Sequence, residues 1–298
     1  MPTSPFDRRV TPARADLAAE HLRGLVDAPR YVSGRAMRIV AASASLRRSP
    51  RADAPLETEA LYGASVTVYD EQDGWAWSQL DRDKYVGYLP SAALGPPSAP
   101  THRVAALRTH AYPGPAIKLP TRMALSLGAQ LRIVGHEGDF AVSEDGLYVW
   151  SRCLAKLGAH EPETVAVAER FLETPYLWGG RTSEGIDCSG LIQAALTAAG
   201  VASPRDSDMQ EAVLGERVAI DSPAEPLARG DLVFWKGHVG IMRDSVTLLH
   251  ANGWHMKTVS EPLAEARDRI AENGGGQVTS VRRLCAHSLA PLAGRGLG

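Results

Sequence analysis

One cysteine and two histidines are spaced for nucleophilic chemistry. Cys188 stands in Tyr176-Leu177-Trp178-Gly179-Gly180-Arg181-Thr182-Ser183-Glu184-Gly185-Ile186-Asp187-Cys188-Ser189-Gly190-Leu191. Leu191, Ile192, Ala195, Leu196 and Ala199 follow with helical spacing, so Cys188 opens a helix. A thiol there feels the positive end of the helix macrodipole, which favours thiolate. Downstream, His238-Val239-Gly240-Ile241-Met242 and Val246-Thr247-Leu248-Leu249-His250-Ala251 read as paired strands. With a turn at Arg243-Asp244-Ser245, His238 lies six residues before Asp244 and His250 six after it. Folded about Asp244, the two are cross-strand neighbours with Cβ atoms roughly 4.5–5.5 Å apart. One imidazole can then fix the tautomer of the other. A slip of one residue would send them to opposite faces. Thiol, base and orienter are the parts of a cysteine nucleophile site.

The same residues admit plainer roles. Cys188 alone could be a buried structural thiol, and the histidines could lie on the polar face of an ordinary hairpin. The helix start and its flanking motif favour the nucleophile. Cys188, His238 and His250 could also hold zinc at three points with an open fourth. No C-x-x-C or H-E-x-x-H spacing supports that, so no metal or other cofactor is expected. Asp187 is a favoured helix N-cap, a role compatible with any other it has. Cys153 ends a strand-like segment, Cys285 follows Leu284 near another, and both read as buried bystanders. His255, beyond Asn252-Gly253, falls outside the site.

The elements that must position these residues occupy the C-terminal half. A helix over Glu163–Leu172 precedes the Cys188 helix, which ends at Gly200. Pro204-Arg205-Asp206-Ser207 begins a short helical stretch. Leu232–Trp235 and Gln277–Leu284 read as further strands. Helices first and antiparallel strands after make an α+β domain over 156–289.

The rest is organised differently. Residues 1–40 form an arm with one short helix around Asp16–Leu25. Residues 41–95 read as a small all-β barrel, with alternation in Val66-Thr67-Val68-Tyr69 and Trp75-Ala76-Trp77-Ser78-Gln79-Leu80 around an Asp73-Gly74 turn. Gly95-Pro96-Pro97-Ser98-Ala99-Pro100 is a linker. Residues 101–155 read as a second copy: Ala124-Leu125-Ser126-Leu127-Gly128 echoes Ala60-Leu61-Tyr62-Gly63. At 298 residues the chain suits two or three domains. A net charge of -2 without a basic stripe excludes nucleic acid as an expected partner. Three cysteines suit a reducing compartment. The N-terminus shows no signal peptide and no apolar run reaches membrane-span length, so a cytoplasmic location off the membrane is expected.

With these motifs in order, the C-terminal part resembles the NlpC family of papain-like cell-wall peptidases. The resemblance rests on Tyr176–Leu191, Gly237-His238-Val239-Gly240-Ile241 and Leu249-His250-Ala251. The N-terminal part resembles the two bacterial SH3-like barrels that precede the peptidase in the γ-D-glutamyl-L-diamino acid endopeptidase branch. The resemblance implies Cys188 as nucleophile, His238 as base, His250 as orienter and Tyr176 beside the oxyanion. It implies substrate contacts from Asp187, Ser189 and Ser207, and from Tyr85 and Glu59 of the first barrel. The implied substrate is a murein stem peptide with a free N-terminal L-Ala, whose ammonium needs a carboxylate to offset its desolvation. The implied role is recycling of murein peptides. Two alternatives stand: a non-catalytic protein that binds murein or a partner, and an amidase or transpeptidase acting on another γ-glutamyl compound.

Overall fold

The structure is a computed structural model that describes residues 6–219 and 226–284. It divides into two compact units, Met1–Leu157 and Gly158–Gly298.

The first unit is β throughout, apart from short 3-10 turns. Seven antiparallel strands form the first barrel: Arg35–Ile39, Ser43–Arg47, Leu56–Leu61, Ser65–Gln72, Trp75–Leu80, Val86–Pro90 and Leu94–Gly95. Their alternating apolar residues put Ile39, Leu46, Val66, Leu80 and Leu89 in one core. Asp73 and Gly74 both adopt positive φ, as a tight two-residue hairpin requires. A five-stranded and a three-stranded sheet follow around Val104, Leu125, Leu131 and Val149. Leu61 and Tyr62, at the end of a first-barrel strand, pack into this second core.

The arm departs from expectation in two places. Leu17–Ala19 is a buried strand, followed by a 3-10 turn at Glu20–Leu22, where the composition predicts a helix around Asp16–Leu25. It pairs with Ala13–Arg14 and Tyr31–Val32. The Arg14 guanidinium lies 4.9 Å from the Trp77 ring centre and pairs with Asp70. Tertiary pairing thus overrides local helix propensity. Arg35–Ile39, which the expected boundary at residue 40 puts in the arm, belongs to the first barrel. Arg38 is buried because its Nη2 donates to Asp145 Oδ1 at 2.6 Å.

The second unit opens with helix α1, Thr164–Glu169, capped by Glu163 through the Val165 and Ala166 N–H groups. Helix α2 is Cys188–Ala198 and α3 is Ser207–Val213. Six strands follow: β1 Glu216–Val218, β2 Leu232–Trp235, β3 His238–Met242, β4 Thr247–Asn252, β5 Lys257–Pro262 and β6 Ser280–Arg283. They form one antiparallel sheet in the order β1-β6-β2-β3-β4-β5. Helix α4, Leu263–Glu272, leaves directly from β5. Every residue of α2 except Thr197 is buried, and α2 packs on α1, β3 and β4. A helix buried at all but one residue therefore delivers Cys188 to the sheet that carries both histidines. Cys285 lies outside the described residues, and Cys153 is a half-buried free thiol. Among the described residues no helix is long and apolar enough to cross a membrane.

Candidate active site

The loop before α2 is built around Asp187. Its Oδ1 accepts from the Gly190 N–H at 2.7 Å, as an N-cap should. Its Oδ2 accepts from the Gly179 N–H at 2.8 Å. Arg205 then grips both oxygens, Nη1 to Oδ1 at 3.0 Å and Nη2 to Oδ2 at 2.7 Å. Nη1 also donates to Ser189 Oγ at 2.8 Å. The aspartate, arginine and serine are all buried. A Cβ on Gly190 would sit 2.4 Å from the Gly180 carbonyl oxygen, so only glycine lets the loop fold back on the helix start. Ser207, the first residue of α3, is buried beyond Arg205 in the chain.

Cys188 is 6% exposed. The backbone N–H groups of Val239 and Ser189 point at its sulfur, which sets the thiol against the first residues of β3. Burial, reinforced by the Asp187 charge, pushes the thiol up to about 12; those N–H groups and Arg205 pull weakly the other way. The helix dipole alone predicts a lowered value. In the ligand-free protein desolvation outweighs it, and the resting group is a thiol. The Tyr176 hydroxyl is also shifted upward by burial and by the charges of Cys188 and Asp187.

The histidine hairpin differs from its expected register. Ile241 pairs with Leu249 and Met242 with Leu248, which centres the turn on Ser245. Asp244 moves the centre, because its Oδ1 accepts from the Val246 and Thr247 N–H groups at 2.9 and 2.8 Å. His238 and His250 are therefore diagonal neighbours, not direct partners. The offset is two residues, so both side chains keep the same face. His238 Nε2 lies 2.8 Å from His250 Nδ1, with ring centres 5.0 Å apart and planes at 62°. The same register sets Gly240 opposite His250; a Cβ there would lie 3.2 Å from the His250 Cβ. Burial, then His250 and Arg269, push His238 down to about 3, against a pull from Glu261. Burial also lowers His250.

Two residues that sequence reasoning missed complete this network. His250 Nε2 is 2.6 Å from Glu261 Oε1, and Arg269 Nη2 donates to the same oxygen at 2.6 Å. Burial would raise the Glu261 carboxyl, but the bonds to His250 and Arg269 outweigh it and hold it at about 2. Glu261 pairs with Leu248 across β4 and β5, which puts it diagonal to His250 on the same face. Alternation along Lys257–Pro262 carries that signal, once the Gly253–Met256 turn sets the register. Asn252 Nδ2 also lies 3.0 Å from His250 Nε2, while its Oδ1 accepts from the His255 N–H. His255 thus reaches the network only at its edge. Arg205, in the Pro204-Arg205-Asp206-Ser207 run, is a third residue that the sequence pattern does not mark, since its partner Asp187 lies in a different segment.

Tyr85 and Glu59 belong to the first unit and are both buried there. The Tyr85 hydroxyl donates to Glu57 Oε2 at 3.3 Å. Among the described residues no group of three or more His, Cys, Asp or Glu side chains is arranged to hold a metal ion.

Residues 173–270 match the NlpC/P60 family. That match spans the stretch that carries Cys188, His238, His250 and Glu261. Residues 46–94 match the bacterial dipeptidyl-peptidase Sh3 domain. A dipeptidyl-peptidase 6 of Lysinibacillus sphaericus is 28% identical over 72% of this chain and 86% of its own length. A gamma-D-glutamyl-L-lysine dipeptidyl-peptidase of Bacillus subtilis is 26% identical over 67% of this chain and 73% of its own. The crystal structure of an NlpC/P60 family protein from Bacillus cereus shares the fold, with a TM-score of 0.68 and 20% identity. That likeness covers 84% of this chain and 99% of the other.

Proposed function

We propose that this chain hydrolyses the amide between the γ-carboxyl of D-Glu and the diamino acid of murein stem peptides that carry a free N-terminal L-Ala. The observation that carries the proposal is the meeting of a helix-opening Cys188 with a strand whose His238 is hydrogen-bonded to His250 at 2.8 Å. The name of the Bacillus subtilis relative, a gamma-D-glutamyl-L-lysine dipeptidyl-peptidase, supports the γ-D-glutamyl bond as the target. Both Cys188 and His238 rest neutral. His238 then takes the thiol proton as the sulfur attacks the γ-glutamyl carbonyl, so the ion pair forms only as it is used. The Cys188 N–H and the Tyr176 hydroxyl stabilise the oxyanion. His238 returns the proton to the departing amine, and water cleaves the thioester. Asp187 and Ser189 are committed to Arg205, and they act on substrate as a preformed wall together with Ser207. The assignment of Tyr85 and Glu59 to the amine end rests on the resemblance. A role in recycling released murein peptides follows from the need for a free N-terminus.

The test is L-Ala-γ-D-Glu-meso-diaminopimelate with purified protein. Release of L-Ala-D-Glu is expected, with loss of roughly 10,000-fold or more in Cys188→Ala. The N-acetylated peptide should not be cut. Undiminished hydrolysis by Cys188→Ala would overturn the proposal, and transfer to an added amine would favour the transpeptidase alternative.

A further inference from the structure

His250 cannot set the tautomer of His238 unless its own is set. A neutral imidazole has one N–H and one lone pair, so each ring passes on whatever its outer partner imposes. The outer partner of His250 is Glu261. An ionised carboxylate only accepts, and Oε1 lies 2.6 Å from His250 Nε2. Arg269 donates to Glu261 through both terminal nitrogens, which keeps the carboxylate ionised and fixes its plane. Asn252 Nδ2 competes for His250 Nε2 at 3.0 Å, and as a donor it asks for the opposite tautomer. The shorter contact, to a charged acceptor, prevails: a bare Nε2 would face the carboxylate lone pair to lone pair at 2.6 Å.

We propose that Glu261, held by Arg269, is a positioning residue that directs both histidines in series. His250 carries its proton on Nε2 and donates to Glu261. Its bare Nδ1 then accepts from His238 Nε2–H. That leaves the lone pair of His238 on Nδ1, the one ring nitrogen not engaged by His250, as the base for the Cys188 proton. Glu261 acts through His250, to which its Oε1 is bonded. The inference rests on the triad proposed above, and it adds a fourth and a fifth residue that set the sense of the proton chain.

Glu261→Gln tests it with an unusual expectation. The amide oxygen is drawn to Arg269, which turns the NH2 group toward His250 Nε2. His250 must then hold its proton on Nδ1 and donate it to His238 Nε2, so the His238 proton moves to Nδ1. The base disappears without the loss of a single side chain. We expect kcat to fall roughly 100- to 10,000-fold with KM little changed. The rate of Cys188 alkylation by iodoacetamide should fall in parallel, which needs no knowledge of the substrate. The double variant Glu261→Gln, Arg269→Met frees the amide to turn its oxygen to His250, and should recover activity above the single variant. A merely structural role predicts the reverse order.

The direct readout is ring-nitrogen NMR of 15N-histidine-labelled protein. Nε2–H tautomers are expected for His238 and His250 in the wild type, and Nδ1–H for both in Glu261→Gln. An Nδ1–H His250 in the wild type overturns the inference, even if the variant does not fold. So does Glu261→Gln with wild-type tautomers and rates. Activity surviving in Cys188→Ala would instead overturn the triad, whatever the tautomers.

Discussion

Two buried polar networks flank Cys188, and they handle charge differently. On the loop side, Asp187 and Arg205 form a closed pair: both carboxylate oxygens take an arginine and a backbone amide. Nothing in that pair changes meaning when a proton moves. On the strand side, His238, His250, Glu261 and Arg269 form a directed series in which each link fixes the next. The first network holds the shape of the helix start. The second holds the position of a proton. Rigidity around the proposed nucleophile is thus supplied by charge saturation, while the chemistry proposed for it needs bonds that have a sense.

The largest expected break in this contrast is Arg205→Met. It leaves a buried Asp187 with no counter-charge and should lower unfolding free energy by roughly 3–5 kcal/mol, read by urea denaturation. Arg205→Lys should restore only part, because one ammonium cannot grip both oxygens. Wild-type stability in Arg205→Met would show that the pair is not the scaffold of the loop.

Lowering the pH should separate the networks next. His238 and His250 have folded pKa values below the ordinary 6.5, so the unfolded chain binds more protons. The His238 contribution is complete above 6.5 and is lost as pH falls toward about 3, and His250 adds a loss of the same sign below 6.5. Glu261 adds a second loss, from 4.5 down to about 2. The Tm should therefore fall through this window, and His238→Gln should flatten its upper part. An unchanged slope in that variant would mean that His238 does not stay neutral on folding.

The smallest effect sharpens the strand-side network. Asn252→Ala removes the competing donor at His250 and should change kcat by less than about tenfold, leaving only a hydrogen bond worth roughly 0.5–1.5 kcal/mol of stability. Steady-state kinetics beside Glu261→Gln decides between them. A larger fall in Asn252→Ala would make the amide the director of His250.

Much of this was legible from residue types alone. The start of α2, its Asp187 cap, the Asp73-Gly74 hairpin and the strands of the histidine sheet follow from local pattern. What escaped depends on pairing between distant segments. Asp244 caps its own turn, so a symmetric fold about that residue misplaces the register by two. Glu261 enters the site only through the pairing of β4 with β5, and Arg269 only through the helix that follows. Arg38 and Arg205 read as surface charges because their partners, Asp145 and Asp187, lie far away in sequence or already had a local role. Leu17–Ala19 shows the same effect in the arm, where a neighbouring strand decides the conformation.

The diagonal placement of His238 and His250 has a bearing on how the hairpin can change length. While the strands stay zipped to the turn, adding or deleting one residue within Asp244–Val246 rotates one imidazole onto the opposite side of the sheet. A change of two restores the shared side with a different spacing. Viable descendants of this loop should therefore differ in even steps, a parity rule imposed on an exposed surface turn by two side chains that lie beneath it.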